Sequence, residues 1–572
     1  MKKAIVILSV IAAILLGIVV ILLLTEPAAT PAPTPQQGGS SVVVKPNSGN
    51  TQQGETTPLT TETEPAETLP PFEPEKTAGS DPANFGFTWE IMADGEIVES
   101  YTRNDPITFE NNDYFAFPGV PTFRGTNYRT DGSYGTAEVL NEDIKKVWSM
   151  NVGYLNDPIW IGCGWTGQPL VVQWDEETRQ IMNLHEDKKN KEGLTEVIYA
   201  KMDGRVHFFD IEDGSETRKP LKLGMVFKGS GALDPRGYPI LYVGSGLASS
   251  KGQRIFAVSL IDGSILFEFK GEDPFKLRKF CAFDSSPLVD ADTDTLIWPG
   301  ESGVLYTFKL NTVYDKAAGT ISMTPDEPVK TRYTDDYSKA GRNLGYETSA
   351  VAVDNYIFVG DNAGMFQCID LNTMELVWAH DLIDDINATA AFEWEDDGKG
   401  YLYVGPSKDY SNGGKNKGDL PLRKIDAATG ETVWEVLINC GSYDGCSGGT
   451  MGSPMLGRKG TNLEDMVFFA MGRTPGAWDS VIYALDKHTG NIVWQYETKD
   501  YTWCSPVGLY TPEGKGYVVQ IDNEGRVYLM DGTNGEVKDT FELEAHIEAS
   551  PVIYNDRLVI GTRESVVILK FE

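Results

Sequence analysis

Three segments of the chain share one pattern: an apolar strand end, a polar turn, and a second strand that carries a tryptophan. The fullest copies read Asp-x-x-Thr-Gly-x-x-Val-Trp, and the three tryptophans, 56 and 60 residues apart, are Trp378, Trp434 and Trp494. Self-similarity at such a period indicates one repeated supersecondary unit, stacked so that neighbours bury the apolar surface that each cannot bury alone. The repeat therefore constrains the fold more than any other feature of the sequence.

Weaker copies of the turn extend the series in both directions. They lie at 210–214, 262–263, 305–310 and 531–535, which brings the number of related turns to seven. Two further apolar segments precede each turn, and the first of them commonly opens with a small residue and proline. Four short strands per unit with glycine-rich turns are typical of a β-propeller blade.

The two ends of the repeat region together supply one more unit. Residues 549–571 contain three strands, and residues 146–150 have the tryptophan-bearing pattern of a fourth strand with no blade before them. Pairing these ends closes the ring and leaves no open sheet edge. The sequence thus predicts an all-β fold, an eight-bladed β-propeller. Seven blades are the alternative, because the unit near Leu305 diverges from the others.

The N-terminal region begins with an apolar segment. Residues 4–24 carry no charge and follow Lys2 and Lys3. A bilayer span needs about 20 apolar residues, whereas the apolar part of a signal peptide has roughly 7–15. We therefore expect a single-pass anchor over residues 1–24, with a cytoplasmic N-terminus and an extracytoplasmic propeller at the cell membrane. A cleaved signal peptide is the alternative.

The rest of the chain divides by composition. Residues 25–84 are rich in Pro, Thr, Glu, Gln, Gly and Ser, so they are predicted to form a disordered linker. Residues 85–143 are predicted to contain a hairpin near Ala93 and a lead-in segment, and residues 144–572 form the propeller. The formal net charge is −34, which argues against nucleic acid and anionic lipid surfaces as partners.

Two local patterns suggest bound metal and a disulfide. The spacing of four carboxylates resembles a calcium loop, although the position that needs a glycine holds Thr295 and a polar hairpin turn is the alternative; these candidate metal ligands are Asp290, Asp292, Asp294 and Glu301. A glycine- and serine-rich loop places Cys440 and Cys446 six residues apart, so they are the candidate disulfide pair. Calcium is the one candidate cofactor at this stage.

A ligand site is predicted where the central channel opens. The loop that enters the first strand of a blade and the loop between its second and third strands emerge on the same face. The longest insertions fall in these two classes, and functional residues concentrate on such loops. Side chains just before the first strands should ring the channel mouth, and the candidate ligand-binding residues are Asp284, Glu347, Asn387, Trp503 and Glu548. A solvated polar funnel without a ligand is the alternative.

The repeat unit and the segment Thr-Phe-Arg-Gly-Thr-Asn at 122–127 resemble the pyrroloquinoline-quinone (PQQ)-type propeller repeat family. The resemblance covers residues 118–572. It implies the propeller fold, but the family includes both quinoprotein dehydrogenases and non-catalytic propellers such as envelope assembly scaffolds. The dehydrogenases carry a disulfide between adjacent cysteines over the cofactor and hold calcium with Glu, Asn and Asp near the channel mouth. This chain has no Cys-Cys pair, so the resemblance points to the non-catalytic branch, without PQQ.

The predicted function is a membrane-anchored, extracytoplasmic binding or scaffold module for an envelope protein, a glycan or a small polar ligand. No catalytic residue is assigned, because no motif for catalysis has the strand and helix context that its chemistry needs. The alternative is a PQQ- and calcium-dependent quinoprotein dehydrogenase, so the sequence leaves open whether the protein is an enzyme.

Overall fold

The computed structural model describes residues 72–109, 114–156, 159–164, 167–247, 252–410, 417–443 and 447–572. In this part of the chain, eight antiparallel sheets are built from four principal strands each. The prediction of an eight-bladed β-propeller is therefore confirmed, and we number the blades 1 to 8 in chain order.

Blades 1 to 4 lie in the first half of the propeller. In each blade the strands are given from the channel outward. The strands of blade 1 are Leu170–Gln173, Thr195–Ala200, Arg205–Asp210 and Leu221–Lys222. Those of blade 2 are Ala232–Leu233, Ile240–Gly244, Arg254–Ser259 and Ile265–Lys270. Those of blade 3 are Leu288–Asp290, Thr295–Gly300, Val304–Lys309 and Val329–Thr334, and those of blade 4 are Val351–Val353, Tyr356–Gly360, Met365–Asp370 and Glu375–Asp381.

Blades 5 to 8 complete the ring. The strands of blade 5 are Ala391–Trp394, Gly400–Val404, Gly418–Asp426 and Thr432–Cys440, and those of blade 6 are Met455–Leu456, Met466–Gly472, Ser480–Asp486 and Ile492–Thr498. Those of blade 7 are Val507–Tyr510, Gly516–Ile521, Arg526–Asp531 and Val537–Glu542. Those of blade 8 are Val552–Tyr554, Arg557–Gly561, Ser565–Phe571 and, from the other end of the propeller sequence, Ile144–Asn151.

Blade 8 closes the ring as the sequence predicts. Its fourth strand, Ile144–Asn151, pairs antiparallel with Ser565–Phe571 over seven residue pairs. The indole N–H of Trp148 donates to the backbone oxygen of Ile211 in blade 1 at 3.1 Å. Strands from both ends of the repeat region thus belong to one sheet, so the circle has no unpaired blade.

The apolar core lies between the blades. Eight apolar clusters separate successive sheets around the ring. The recurring tryptophan and the turn glycine explain how neighbouring blades dock. The indole N–H of Trp434 donates to the backbone oxygen of Lys487 at 2.8 Å, and its ring packs on Gly490, where φ is +72° and a Cβ atom would lie 2.8 Å from the ring. Trp378 and Trp494 make the equivalent contacts with the next blades.

Short elements decorate the blades. The described residues include four short helices: the 3-10 helix Pro82–Phe85 and the α-helices Glu176–Ile181, Glu186–Lys189 and Asp336–Lys339. In the divergent unit near Leu305, an insertion forms the hairpin Val313–Asp315 and Thr320–Ser322. Further strand pairs are Tyr154–Asn156 with Ile159–Ile161, and Ser407–Lys408 with Gly448–Gly449, the last of which also contacts blade 6.

The structured region begins earlier than the composition predicts. The hairpin expected near Ala93 is present as Thr88–Ala93 and Glu96–Val98, and it extends the outer edge of blade 3. Residues 72–84, assigned to the linker, are also ordered against the propeller. Phe72 is buried with its ring centroid 5.3 Å from that of Trp394. Hydrogen bonds also hold the segment, such as those from the Glu75 N–H to the Ala428 backbone oxygen at 2.8 Å and from the Ser80 hydroxyl to the Thr429 backbone oxygen at 2.6 Å. Residues 72–84 therefore pack on the propeller and do not belong to the predicted linker.

The predicted membrane anchor, residues 1–24, lies outside the described residues. Among the residues that the structure does describe, no helix has the length and apolar character to cross a bilayer.

Residues 119–134, which we call the channel segment, fill the axis of the propeller. They hydrogen-bond to strands or strand entries of all eight blades. For example, Leu233 donates to Pro121 at 2.8 Å and Phe392 donates to Tyr128 at 2.9 Å, both through backbone groups. The sequence predicted only a lead-in here. The inner strands need partners for their backbone groups, and the channel segment supplies them.

Two buried arginines fix the channel segment. Arg124 donates to the backbone oxygens of Pro506 at 2.7 Å and Pro454 at 3.0 Å, which belong to blades 7 and 6. Arg129 donates to the backbone oxygens of Ala350 at 3.0 Å and Ser286 at 3.1 Å, at blades 4 and 3. Both guanidinium groups are fully buried, and burial lowers the pKa of each to about 10.

Candidate functional site

The channel mouth has an acidic side built by blades 2 to 4. Asp284, Glu301 and Glu347 each place one carboxylate oxygen within 4.8 Å of the others. Asp284 and Glu347 precede the first strands of blades 3 and 4, whereas Glu301 lies in the turn after the second strand of blade 3. Both loop classes emerge on this face, and for that reason residues from different loops converge.

A lysine neutralises part of this charge. The Lys228 ammonium donates a hydrogen bond to Asp284 and lies 3.7 Å from Glu347. Burial disfavours the ammonium, but the attraction of Asp284, Glu347 and Glu301 outweighs burial and raises the pKa of Lys228. Burial, opposed by Lys228, raises the pKa of Asp284. Burial and repulsion from Glu347 and Asp284 raise the pKa of Glu301 well above its usual range. The cluster therefore holds one ammonium and favours an additional proton on its carboxyl groups.

The buried oxygens support the same conclusion. Oδ1 of Asp284 and Oε1 of Glu301 have no hydrogen-bond partner among the described residues. A proton held between the two carboxyl groups satisfies both oxygens, because one group then donates to the other. A divalent cation could take the same place, since Ca²⁺ prefers carboxylate oxygens, but it would have to displace or repel the Lys228 ammonium.

An amide relay extends the acidic side to blade 5. Asn362 donates to Glu347 and to Asp385, each at 3.2 Å. Asn387 donates to Asp385 at 2.9 Å and to the Ser407 hydroxyl at 2.6 Å. Burial and the Glu347 charge raise the pKa of Asp385 well above its usual range. Of the five residues predicted at the mouth, Asp284, Glu347 and Asn387 line one small cavity.

The opposite side of the mouth is aromatic. Trp503, from blade 7, packs against Met451 and Tyr501, and its indole N–H donates to the Ser447 backbone oxygen at 3.3 Å. Beside this cluster, Trp478 is 62% exposed on the loop between the second and third strands of blade 6. Its ring centroid lies 6.0 Å from that of Tyr501. An exposed tryptophan backed by buried rings is the arrangement found at binding hot spots.

Glu548 does not join the acidic cluster. It forms an ion pair with Arg563 and accepts a hydrogen bond from His546 at 3.0 Å. Asp284 and Glu347 therefore lie in the acidic cluster, whereas Glu548, predicted beside them at the mouth, has other partners. Lys228 lies among the carboxylates of blades 3 and 4, and Arg563 compensates Glu548 at blade 8.

The structure separates the carboxylates of the predicted calcium loop. Asp290 accepts hydrogen bonds from Thr293 in the hairpin turn, and Asp294 pairs with Arg236 at 2.7 Å. Strand Thr295–Gly300 then carries the chain to Glu301, a distance of about 20 Å at roughly 3.3 Å per residue. One ion cannot bridge that span, so Asp290, Asp292, Asp294 and Glu301 do not form a single metal site; Glu301 belongs to the acidic mouth.

The predicted disulfide between Cys440 and Cys446 stays a prediction. Cys440 has a buried free thiol, and burial raises the pKa of that thiol to about 12. Cys446 lies outside the described residues. A buried thiol at the end of a blade 5 strand behaves as a small apolar residue.

Three residues of the mouth were not predicted from the sequence: Lys228, Glu301 in this role, and Trp478. A strand 2–3 loop position gives the signal for Glu301 and Trp478, because those loops share the face of the mouth. Lys228 precedes the first strand of blade 2 and therefore occupies the ring position that corresponds to Asp284. Aligning the residues before the first strand of blade 2 with those before the first strand of blade 3 could have identified Lys228 from the sequence.

Known proteins resemble this chain in part of its sequence and in its fold. The family model described as outer membrane protein assembly factor BamB matches residues 478–571, which cover most of blades 6 to 8. The quinohemoprotein alcohol dehydrogenase from Pseudomonas putida HK5 aligns over 82% of this chain and 83% of its own, with a TM-score of 0.52 and 12% identity. That from Comamonas testosteroni aligns over 79% and 80%, with a TM-score of 0.50 and 13% identity.

Residues 478–571 are thus similar in sequence to repeats of the PQQ type. The structural likeness at such low identity concerns the fold alone. A segment of 101 residues is also 30% identical to the beta-alanine-activating enzyme of Danio rerio, and it covers 16% of this chain and 8% of that protein. The chain thus matches less than a tenth of the length of this relative.

The described part of the channel mouth does not fit the quinone that the resemblance to PQQ-type propellers raises as a cofactor. The cavity next to Asp284, Glu347 and Asn387 has a volume of about 20 Å³, which suits a water molecule or a small ion. A site for an organic molecule of drug size needs roughly 300 Å³ or more. Phe123, from the channel segment, is one of the residues that line this cavity. The sequence also has no adjacent cysteines to cover the cofactor.

Proposed function

We propose that the protein is a non-catalytic binding module that engages an envelope protein through the face around the channel mouth. The observation that carries this proposal is the channel segment. It runs along the propeller axis beside a cavity of only about 20 Å³ at the mouth, and Arg124 and Arg129 hold it by hydrogen bonds to four different blades.

The mouth face offers chemistry suited to a protein partner. Trp478 is exposed, and the Arg473 guanidinium lies 4.3 Å from the ring centroid of Tyr501 behind it. The acidic side, with Glu347 and Asp385, lies across the mouth. Tryptophan, tyrosine and arginine dominate binding hot spots, and the net charge of −34 favours partners with basic segments.

The proposal includes the location that the sequence predicts. The apolar, uncharged residues 4–24 would anchor the chain in the cell membrane, and the segment after them would carry the propeller on the extracytoplasmic side. The match of blades 6 to 8 to a model named for an outer membrane assembly factor is compatible with a scaffold role in an envelope.

The test compares capture of envelope proteins by immobilised full-length chain and two variants. Trp478→Ala removes the exposed anchor. Ile265→Ala is the matched control, because Ile265 is an exposed apolar side chain (48%) on the outer strand of blade 2. We expect Trp478→Ala to lose the retained protein and Ile265→Ala to keep it.

Two results would contradict the proposal. One is equal retention by Trp478→Ala and the wild type. The other is dye-linked alcohol or sugar oxidation by the purified chain after addition of PQQ and Ca²⁺, which would show that the channel segment yields to the cofactor.

A further inference from the structure

A second cavity lies on the face opposite the channel mouth. Its volume is about 710 Å³, within the range of small-molecule sites of roughly 300–1,000 Å³. Its wall comes from the loop between the first two strands of blade 1, the corresponding turn of blade 2 and the inserted hairpin of blade 3, together with residues 116–118. We call it the three-blade cavity.

The two insertions that enclose the three-blade cavity are joined by ion pairs. The Lys316 ammonium of the blade 3 hairpin lies 2.9 Å from Asp175 and 3.2 Å from Glu177 of blade 1. Asp175 also caps the helix Glu176–Ile181 by accepting a hydrogen bond from the backbone of Thr178 at 2.9 Å. Exposed ion pairs contribute little stability, but these two connect loops of different blades across the cavity wall.

Aromatic rings line the cavity in two groups. Phe117 stacks on the buried Trp174, with ring centroids 6.0 Å apart. Tyr238 and Tyr314 lie 4.6 Å apart, and the Arg236 guanidinium lies 4.4 Å from the Tyr238 ring centroid. Phe117, Tyr238 and Tyr314 are partly exposed, so apolar ring surface remains available to a ligand.

The polar groups of the cavity leave both donors and acceptors unused. Arg236 donates through Nε and Nη2 to Asp234, and Nη2 also pairs with Asp294. Its Nη1 makes no hydrogen bond within the described residues. Gln173 donates through Nε2 to the Gly193 backbone oxygen at 3.2 Å, which leaves Oε1 as an acceptor. Glu176 and Glu192 are exposed acceptors at the rim.

These unused groups decide the class of ligand. An anion only accepts hydrogen bonds and would meet Glu176 and Glu192, in a chain of net charge −34. An ammonium group only donates hydrogen bonds, so it would leave Nη1 of Arg236 without an acceptor. Hydroxyl groups do both. A ligand with many hydroxyls and flat apolar faces matches the donors, the acceptors and the rings together.

We propose that the three-blade cavity binds a neutral oligosaccharide of two or three sugar units. Its ring faces stack on Tyr238, Tyr314 and Phe117, and its hydroxyls bond to Arg236 and Gln173. This inference deepens the proposed function, since it takes the propeller to be a binding module, but it assigns a different ligand to the opposite face. The two sites can therefore be tested separately.

Calorimetric titration of the full-length chain with three probes tests the inference: maltotriose, cellotriose and triacetylchitotriose. We expect at least one to bind. Tyr314→Ala should weaken binding at least about tenfold, and Tyr314→Phe should restore it, because the ring remains. Tyr314 lies on a peripheral hairpin, so an unchanged melting temperature shows that the fold is intact. Trp478→Ala is the control on the other face and should bind the sugar as the wild type does.

The inference is overturned if none of the three probes binds with a Kd of about 10 mM or lower. It is also overturned if Tyr238→Ala and Tyr314→Ala both bind as the wild type does, or if tetramethylammonium or inorganic phosphate displaces the bound sugar from a shared site. Sugar binding that survives in Trp478→Ala while protein capture fails supports both sites. Capture without any sugar binding refutes this inference alone.

Discussion

Replacing Arg129 by lysine tests whether the channel segment holds the propeller together. Arg129 makes four hydrogen bonds from three nitrogen atoms: to Ala350, Ser286 and Phe123 through their backbone oxygens, and to the Thr122 hydroxyl. A lysine carries its donors on one nitrogen. It can satisfy about two of these acceptors, so about two charged hydrogen bonds are lost.

The expected loss is about 3–5 kcal/mol, because a hydrogen bond to a charged group contributes roughly 1.5–3 kcal/mol and a buried acceptor left without a partner is costly. Arg124→Lys should cost less. Arg124 makes only two such bonds, to Pro506 and Pro454, and its Nε already lacks a partner within the described residues. Arg205→Lys is the control, since Arg205 is exposed and should change stability by no more than about 0.5 kcal/mol.

Urea unfolding followed by tryptophan fluorescence measures these differences. The comparison is valid where the dependence of the unfolding free energy on urea is unchanged between variants. The reasoning is refuted if Arg129→Lys lies within about 1 kcal/mol of the wild type, or if it is no less stable than Arg124→Lys. Either result would mean that the guanidinium does not connect the blades as the structure shows.

Three further predictions concern blade docking and the acidic mouth. Trp434→Phe keeps the ring but loses the bond to the Lys487 backbone oxygen, so it should cost about 1 kcal/mol in urea unfolding; no loss would mean that the indole N–H is not needed. The raised pKa of Glu301 means that the folded state binds a proton more tightly than the unfolded state, so this group stabilises the fold less as pH rises from about 4.5 through its folded pKa. Glu301→Gln, which resembles the protonated form, should therefore gain in melting temperature relative to the wild type between pH 5 and pH 8, and a constant difference would contradict the shift. Lys228→Met leaves three carboxylates without their cation and should destabilise the fold at pH 8 by about 3–5 kcal/mol, and millimolar Ca²⁺ should restore part of this loss. Lys330→Met is the control, because it breaks a buried pair with a single carboxylate and should be destabilised without a response to calcium. Equal calcium responses of the two variants would argue against a cation site at the mouth.

The sequence by itself determined the blade repeat and favoured eight blades, with seven as the alternative. The blades are defined by short-range features: short apolar strands, a polar turn and, in blades 4, 5 and 6, a tryptophan eight residues after the turn aspartate. The contact between Trp434 and Gly490 joins two copies of the same motif, so the repeat carries the packing rule between blades as well. Closure through Ile144–Asn151 followed because the fourth-strand pattern recurs where one strand is missing.

The channel mouth was predictable only in part. Asp284, Glu347 and Asn387 precede first strands, and this regular position brings them to one cavity. Glu301 was assigned to a local calcium loop because its spacing from Asp290 fits such a loop. A strand between them places the two residues at opposite ends of a blade, which the spacing alone does not express.

The remaining features depended on the closed ring. Nothing in the local sequence around Arg124 and Arg129 distinguishes buried arginines from exposed ones, because their partners are backbone oxygens of strands up to 382 residues away. The three-blade cavity likewise arises where insertions from blades 1 and 3 meet over blade 2. Local periodicity specifies a strand and its neighbour, but the contents of the axis and the meeting of distant loops are fixed only once all eight blades are placed around the channel.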